Sequence, residues 1–316
     1  MAPPRGSRRA DRLPTTRLAA SHRHAHHPDA ARAEILARFD AERADPPPEP
    51  GVRYERAGSV IRAIGTWNAV VFARLTADTA DAAIAEQVAF FRSLAFEVNS
   101  GDGHAGGAGG AVSGEDRALE WKVYGHDLPA DLGSRLAAAG FEPDEPETLT
   151  VFDLADDLRG ETREDAAAPA LVEIRRVTDL SGLTDFLDAA RVAFGRDEQW
   201  QAARTNQFAP RLTEPAMSLY VAYADGQPVA SARGEFPAGR PFAGLWGGGT
   251  IAEYRGRGIY RALVRARAQE ARRRGYRYLR VDARETSRPI LERLGFIALT
   301  DIIEWRLSLP ARAHPA

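Results

Sequence analysis

The chain has 316 residues, of which 44% are hydrophobic and 27% are charged, and its formal net charge at pH 7 is -2. These values are typical of a globular chain of about two domains, and the small net charge argues against nucleic acid or an anionic membrane as a partner. The absence of cysteine excludes disulfides, thiolate metal sites and a cysteine nucleophile, and fits a cytoplasmic protein. No apolar run approaches the ~18 residues that a membrane-spanning helix needs.

Residues 1–30 form a basic, proline-containing segment that lacks the apolar centre of a signal peptide, so we expect a disordered tail. Within it His22, His24, His26 and His27 lie close together, and histidine is a common metal ligand. Such a tract is more often disordered and solvated than metal-bound, and we therefore expect no metal cofactor.

The first ordered half is expected over residues 31–159. Its periodicity predicts a helix over residues 31–44, a β-like segment over residues 60–75 and a further helix that ends near residue 94. Residues 99–116 are rich in glycine but open no apolar helix, so they predict a flexible surface loop rather than a phosphate-binding loop.

Three further elements complete this half: a strand over residues 119–127, a short helix within residues 128–141 and a strand over residues 147–155. Residues 160–170 are charged, then rich in alanine and proline, which is typical of an interdomain linker. A second domain is therefore expected over residues 171–310.

The second domain begins with a strand, two helical stretches and a hairpin. The two alternating runs of the hairpin meet at Asp225-Gly226, a pair that strongly favours a tight β-turn. The next strand contains Gly247, Gly248 and Gly249, which either form a bulge or clear space for a bound group.

A glycine-rich turn joins this strand to the next helix. The turn reads RGRG over residues 255–258, and a helical pattern begins at Ile259. Backbone N–H groups at a helix start have no partner inside the helix, and with the positive end of the helix dipole they bind anions. The glycines admit a phosphate close to the backbone, and the arginines add positive charge. The turn therefore predicts a pyrophosphate-binding site.

The elements after the turn complete a larger unit. The helix ends before Gly275, a strand follows to Ala283, and a short helix ends at Gly295-Phe296. This order resembles the GNAT superfamily of N-acetyltransferases. The acyl-CoA signature of that family, [Q/R]-x-x-G-x-[G/A], matches residues 255–259 and departs at Tyr260, where Gly or Ala is usual. The resemblance covers residues 171–308.

The resemblance implies an α/β (α+β) chain with the GNAT acyl-CoA N-acyltransferase fold, a mixed and mostly antiparallel sheet flanked by helices. It also implies acetyl-CoA as the co-substrate. Backbone groups of Thr250, Ile251 and Ala252 would pair with the pantetheine arm, and Ser287 stands where the family often has an asparagine or a small residue. The pyrophosphate would be bound by the backbone amides of Arg255, Gly256, Arg257, Gly258, Ile259 and Tyr260.

The first half repeats the order of elements of the second. Helix, strand, short helix ending in Gly140-Phe141 and apolar strand match the helix, strand, short helix ending in Gly295-Phe296 and last strand. The glycine-rich turn has no counterpart, because Asp78 and Asp81 stand where arginines would be needed and carboxylates repel a pyrophosphate. The chain is therefore similar to tandem GNAT proteins whose first half has lost its CoA site.

Acetyl transfer to an amine needs a base for the ammonium, hydrogen-bond donors for the tetrahedral oxyanion and an acid for the leaving thiolate. Glu235 and Asp282 are the candidate bases, and each also fits a structural carboxylate. A backbone N–H near Gly249 or Ile251 is the candidate oxyanion donor.

The acid is missing from its usual place. Many family members have a tyrosine four places before the glycine of Gly-Phe, and here that residue is Leu291, with Ser287 as the nearby candidate hydroxyl. His126 follows a strand of the first half and fits a structural histidine better than a catalytic one. Four aromatic residues fit either the acceptor site or the core: Trp200, Phe208, Tyr223 and Trp246.

The sequence thus predicts an N-acetyltransferase that moves an acetyl group from acetyl-CoA to an amine, on a small molecule or a peptide, by direct attack on the thioester. Two alternatives remain open. The missing tyrosine also fits a non-catalytic acyl-CoA-binding regulatory or interaction module, and the three glycines also fit transfer of a bulkier acyl or aminoacyl group. The sequence determines neither the acceptor nor the oligomeric state.

Overall fold

The computed structural model describes residues 29–100, 118–159 and 172–309. The histidine-containing tail, most of the glycine-rich insert and the predicted linker lie outside the described residues. Within the described ranges, twelve strands form one mixed sheet with helices on both faces. The predicted fold class, a mixed and mostly antiparallel sheet flanked by helices, is confirmed.

The first half contributes three helices and six strands within the described ranges. In chain order these are α1 (Asp29–Arg43), β1 (Val52–Ala57), β2 (Val60–Gly65), β3 (Asn68–Ala73), α2 (Ala80–Ser100), β4 (Ala118–Tyr124), α3 (Leu132–Ala138), β5 (Glu142–Pro143) and β6 (Glu147–Asp153).

The second half contributes four helices and six strands within the same ranges. In chain order these are β7 (Val172–Arg176), α4 (Leu180–Phe194), α5 (Glu198–Phe208), β8 (Met217–Ala224), β9 (Gln227–Glu235), β10 (Phe242–Thr250), α6 (Ile259–Arg273), β11 (Tyr278–Arg284), α7 (Arg288–Leu294) and β12 (Ile297–Ser308).

Most predicted elements are present with shifted ends. The β8–β9 hairpin turns at Asp225 and Gly226, whose φ angles of 53° and 76° are those of a tight turn that matches the twist of the strands. The β-like segment over residues 60–75 is in fact the hairpin of β2 and β3. β1 was not predicted, because its sequence VRYERA is largely charged and polar and its edge position leaves much of it exposed.

The last strand of each half pairs with strands of the other half. The order across the sheet is β1-β2-β3-β4-β12-β6-β11-β10-β9-β8-β7, and β5 pairs with β12 beside this path. β6 of the first half lies antiparallel to β11, and β12 of the second half lies antiparallel to β4. β6 and β12 also pair with each other. The exchange makes one continuous sheet of the two halves, so the sequence boundaries between the predicted domains do not divide the sheet.

Each half shows the same pairing pattern, which supports a duplication. β3 and β4 are parallel, as are β10 and β11, and in each half the strand beyond the parallel pair comes from the other half. The short helices α3 and α7 end alike: Gly140 and Gly295 have positive φ angles of 92° and 105°. The N–H groups of Phe141 and Phe296 each donate to the carbonyl five residues earlier, at 3.0 Å.

The helices divide between the two faces of the sheet. One face, called the α1 face below, is covered by α1, α4 and α5. The opposite face, called the α6 face, is covered by α2, α3, α6 and α7. Successive strand residues alternate between the faces: Leu279 and Val281 of β11 pack under α6, whereas Tyr278 packs under α1.

Phe39 of α1 joins the two halves on the α1 face. Its side chain is 2% exposed, and its ring centroid lies 5.4 Å from that of Tyr124 on β4 and 5.9 Å from that of Phe242 on β10. α1 therefore covers strands of both halves with one buried ring.

We expect Phe39→Ala to lower the free energy of unfolding by about 3–5 kcal/mol, because it leaves a cavity between the halves. Both halves should still unfold in one transition, since they share one sheet. Urea denaturation followed by tryptophan fluorescence measures both quantities. The control Leu180→Ala removes a side chain that is 63% exposed and should change the stability by less than about 0.5 kcal/mol. Two separate transitions in the unchanged protein would contradict the prediction.

Candidate functional site

The turn between β10 and α6 has the geometry of an anion-binding loop. Gly256 and Gly258 have φ angles of 76° and 77°, in the left-handed region that glycine adopts without strain. No side chain caps the start of α6. Among the described residues, no backbone carbonyl accepts from the N–H groups of residues 256–260. These successive N–H groups, at the positive end of the helix dipole, form a concave site for a phosphate or pyrophosphate.

Arg255 and Arg257 hold the loop in shape. Arg255 Nε donates to the carbonyl oxygen of Thr250, and Arg257 Nη2 donates to that of Glu253, both at 3.0 Å. The Arg257 guanidinium also lies 4.9 Å from the centroid of the Tyr254 ring. Both arginines remain exposed, so their positive charge stays beside the free N–H groups.

The corresponding loop of the first half, between β3 and α2, is closed by contacts of its own. The Thr79 N–H donates to the Thr76 carbonyl at 3.2 Å. Arg135 donates to the Ala77 carbonyl at 3.0 Å and to the Asp81 carboxylate at 2.9 Å. An arginine and a carboxylate thus occupy this helix start, and the loop lacks the row of glycines and arginines found before α6.

β10 and β11 separate beside the loop. Their parallel pairing covers residues 242–244 and 278–280, whereas β10 continues to Thr250 and β11 to Arg284. On the other edge of β10, the pairing with β9 shifts register between Trp246 and Gly249, which is a β-bulge. The result is an opening between two strands, with the anion-binding loop at one end and the bulge along one wall.

The backbone of β10 lines this opening. The Ile251 N–H donates to the Val229 carbonyl of β9 at 3.0 Å, so it is not free for a ligand. Successive N–H groups of a strand point to opposite edges, which directs the Thr250 N–H away from β9 and into the opening. The Thr250 hydroxyl oxygen is buried and has no hydrogen-bond partner among the described residues. Ala252 follows at the start of a 3-10 turn over Ala252–Tyr254.

The glycines of β10 make room for aromatic rings. A Cβ atom on Gly248 would lie 2.9 Å from the ring of Tyr260, and one on Gly249 would lie 2.6 Å from the ring of Phe194. Gly247 has a φ of 53°, which the bulge requires. The three glycines therefore both form a bulge and clear space, but side chains of the chain itself occupy the cleared space.

Tyr260 reaches across the opening from the first turn of α6. Its ring packs against Gly248 of β10, and the Ser287 side chain, just before α7, is near enough to act on the pKa of its hydroxyl. The Ser287 hydroxyl also contacts the Arg284 carbonyl at 3.1 Å. Burial raises the pKa of Tyr260, while the charge of Arg267 and the Ser287 side chain oppose the shift. The residue that replaces the usual Gly or Ala thus connects both walls of the opening.

Asp282, one candidate base, is engaged in an ion pair across the halves. Its carboxylate lies 2.8 Å from Nζ of Lys122 on β4, and its side chain is 2% exposed. Burial raises the pKa of this carboxyl, but the charges of Lys122 and Arg280 outweigh that effect, so the pKa of Asp282 is lowered overall. A carboxylate held in this way is a weak proton acceptor.

Glu235, the other candidate base, ends β9 on the side of the sheet away from the anion-binding loop. Its carboxylate lies 3.3 Å from the guanidinium of Arg233. The first half adds two residues beside it, Glu49 and Tyr54, whose side chains are hydrogen-bonded at 3.3 Å. Burial raises the pKa of Glu49, and the nearby charge of Glu235 raises it further. Glu49 lies in a proline run without periodicity, so no sequence pattern marks it as a site residue.

The aromatic candidates occupy different places. Trp246 lies in the site region. The centroid of its ring is 5.3 Å from the Arg280 guanidinium and 5.7 Å from Nζ of Lys122. Phe208 and Trp200 belong to the core under α4 and α5, and the Tyr223 hydroxyl donates to Asp185 at 2.6 Å.

His126 is hydrogen-bonded to Asp40 at 2.9 Å and contacts the Thr300 hydroxyl at 3.3 Å, far from the anion-binding loop in the sheet order. It therefore links α1, β4 and β12. Among the described residues, no cluster of three or more metal-ligating side chains is present. No helix in the same ranges is long and apolar enough to cross a membrane.

Comparison with solved structures finds the same fold. The chain is similar to a GCN5-related N-acetyltransferase from Kribbella flavida, with 18% identity, a TM-score of 0.59 and coverage of 87% of this chain and 94% of that one. A functionally unknown conserved protein from Staphylococcus epidermidis is similar at 13% identity and a TM-score of 0.55, covering 81% and 94%. A tandem GNAT protein from the clavulanic acid biosynthesis pathway is similar at 17% identity and a TM-score of 0.53, covering 87% and 88%.

At these identities the structural likeness concerns the fold alone. A sequence comparison with curated proteins finds no match. Residues 183–296, which include the bulge of β10, the anion-binding loop and Tyr260, match the model of the Acetyltransferase (GNAT) family. The chain therefore carries a domain of the GNAT acetyltransferase family, within a mixed sheet that has the GNAT fold.

Proposed function

We propose that the chain is an acyl-CoA-dependent N-acyltransferase, and that it transfers an acetyl group from acetyl-CoA to an amine. The observation that carries the proposal is the loop over residues 255–260, whose free N–H groups lie at the end of the opening between β10 and β11. A pyrophosphate at a helix start and an extended arm beside a strand find adjoining sites there. The family match spans both features.

The residues present fit such a donor. The backbone amides of residues 256–260 would hold the pyrophosphate, and the exposed arginines of the loop would add charge. The arm would follow β10, where Thr250 offers an N–H and a buried hydroxyl that has no partner among the described residues. A buried polar atom without a partner is costly, so this hydroxyl supports a bound group at that position.

In the proposed reaction, the amine nitrogen attacks the thioester carbonyl. A C–N bond forms as the C–S bond breaks, and the products are an amide and the free thiol. Counted from the ammonium form of the acceptor, two protons leave the nitrogen: the base takes one before the attack, and the second, lost after the C–N bond forms, balances the proton that the thiol finally takes up. The Thr250 N–H would serve the oxyanion, since it points into the opening. Glu235 is better supported as the base than Asp282, because Asp282 is bound to Lys122.

The same observations support a single donor site among the described residues. The helix start of α2 is occupied by Arg135 and Asp81, which leaves no place for a pyrophosphate. The first half would instead contribute to the acceptor side, where Glu49 and Tyr54 lie beside Glu235. Carboxylates in that position fit an acceptor that arrives as a cation.

A non-catalytic acyl-CoA-binding module is the second candidate function. Leu291, fully buried in the core where the family often has a tyrosine, supports it. Turnover with a panel of amines separates the two functions. Transfer of a bulkier acyl group is less well supported, because the rings of Tyr260 and Phe194 fill the space that the glycines clear.

We expect calorimetric titration with acetyl-CoA to find one site per chain. Gly258→Trp should weaken binding by at least about a hundredfold, because the side chain fills the phosphate position and a φ of 77° disfavours any other residue. The control Gly275→Trp makes the same change at a φ of 81°, at the other end of α6, and should bind normally. Normal binding by a folded Gly258→Trp variant would contradict the donor site, and two sites per chain would contradict its assignment to the second half.

We expect Asp282→Asn to lower the free energy of unfolding by about 3 kcal/mol at pH 7, because it leaves the Lys122 charge unpaired. The pKa of Asp282 is lowered in the folded protein. The ion pair therefore stabilises the folded protein at pH values above the pKa of the unfolded state, which is about 4. This stability is lost as the pH falls through the pKa of the folded state. The difference between the variant and the unchanged protein should therefore shrink below about pH 4.

The matched control for this measurement is Asp45→Asn. Asp45 also pairs with a basic residue, Arg240, at 3.0 Å, but its side chain is 80% exposed, so its loss should cost less than about 1 kcal/mol. Urea denaturation at several pH values gives both results. A stable Asp282→Asn variant that loses turnover would instead identify Asp282 as the base.

A further inference from the structure

Arg267 is a buried cation without a carboxylate partner among the described residues. The residue is 1% exposed and lies in the middle of α6, on the side that faces the sheet. Burial without an opposing charge lowers its pKa to about 10. An uncompensated buried charge is costly, so an anion that enters the site during the reaction would be stabilised by it.

The guanidinium lies against the bulge of β10. Its Nη1 donates to the carbonyl of Arg233 on β9 at 3.1 Å and to that of Trp246 on β10 at 3.5 Å, and its Nε donates to the Leu263 carbonyl at 3.0 Å. A Cβ atom on Gly248 would lie 3.6 Å from Nη2. Carbonyl groups hold the guanidinium in position but do not cancel its charge.

Tyr260 meets Arg267 at the same glycine. The ring of Tyr260 lies on Gly248, beside Nη2 of Arg267, and the two side chains project from the same helix. The edge of the phenol ring and a positive charge therefore meet at one residue of β10. The charges that act on these groups are few: Arg267 acts on Tyr260, and Tyr260 and Tyr220 act on Arg267.

With the arm along β10, as proposed, the leaving sulfur would lie beside the bulge and would develop negative charge there. Leu291 lies fully buried where the family often has a tyrosine, so that position offers no proton for the sulfur. The pKa of Tyr260 is raised above its ordinary value near 10, whereas that of a thiol is near ~8.5. A proton shared between the two groups therefore stays on the phenol, and the sulfur carries the charge.

We propose that CoA leaves this site as a thiolate, which accepts a hydrogen bond from the Tyr260 phenol and is stabilised by the positive charge of Arg267. The inference rests on the proposed function. As the C–S bond breaks, its electron pair stays on the sulfur, and the amine proton passes to the base. The thiolate takes a proton from water after release. Charge-assisted hydrogen bonds are about twice as strong as neutral ones, and a buried site strengthens them further.

The test compares the affinities for CoA and desulpho-CoA, measured by calorimetry between pH 6 and pH 9. Desulpho-CoA lacks the thiol, so the ratio of the two affinities cancels every other titrating group. A site that favours the thiolate lowers the pKa of the bound thiol. The affinity ratio should then rise with pH up to the pKa of the free thiol, which is about 8.5. Each unit by which binding lowers the pKa of the thiol gives a tenfold rise in the affinity ratio. We expect the ratio to rise at least about tenfold.

Three variants assign the effect. Tyr260→Phe removes only the hydroxyl, and Arg267→Gln removes the charge; each should reduce the rise to less than about threefold. The control Arg273→Gln makes the same change on an exposed arginine of α6 and should behave as the unchanged protein. A purely structural role for Arg267 would weaken both ligands equally and leave the pH dependence of the ratio intact, which would overturn the inference.

The outcomes also separate this inference from the function beneath it. If neither CoA nor desulpho-CoA binds, the proposed function fails. If both bind with a ratio that does not change between pH 6 and pH 9, the donor site stands and the thiolate inference is wrong.

Discussion

The exchange of β6 and β12 is the constraint on which the rest of the structure depends. Each strand completes the sheet next to the parallel pair of the other half, so β11 has its second neighbour only when the first half is folded. The walls of the candidate site are therefore set by both halves. Lys122 and Asp282, one from each parallel pair, meet at 2.8 Å across this junction. Through the same junction, residues of the first half lie beside residues of the candidate site of the second half.

The site itself arises from a local failure of regular pairing. β10 leaves β11 after three residue pairs and shifts its register against β9 at the bulge, which opens the sheet beside a helix start with free N–H groups. A regular sheet would have satisfied these backbone groups and left no room for a substrate. Arg267 holds the bulge by donating hydrogen bonds to the carbonyl groups of Arg233 and Trp246. The glycines let the rings of Tyr260 and Phe194 pack against the bulge. Irregular pairing, charge and aromatic packing are thus concentrated in one place.

The two halves differ in the loop that precedes α6 in one and α2 in the other. Both have a parallel strand pair, and both short helices end with a glycine at positive φ. They differ at the helix start, where one has free N–H groups between glycines and arginines and the other has Asp81 bound by Arg135. The two loops therefore differ without a difference in strand pairing, since the pairing of strands depends on the apolar pattern and not on the loop.

The sequence by itself determined the features that depend on neighbouring residues. The Asp225-Gly226 turn, the glycine-rich loop before α6 and the repeated Gly-Phe ends are local, so spacing and residue type were enough to predict them. Only the tertiary structure decided the partners that are distant in the chain. The exchange of β6 and β12, the pairing of Asp282 with Lys122 and the approach of Glu49 to Glu235 each join residues more than a hundred positions apart, and no local pattern encodes which strand lies beside which. Arg267 shows the same limit, because only the fold revealed a buried charge beside the bulge.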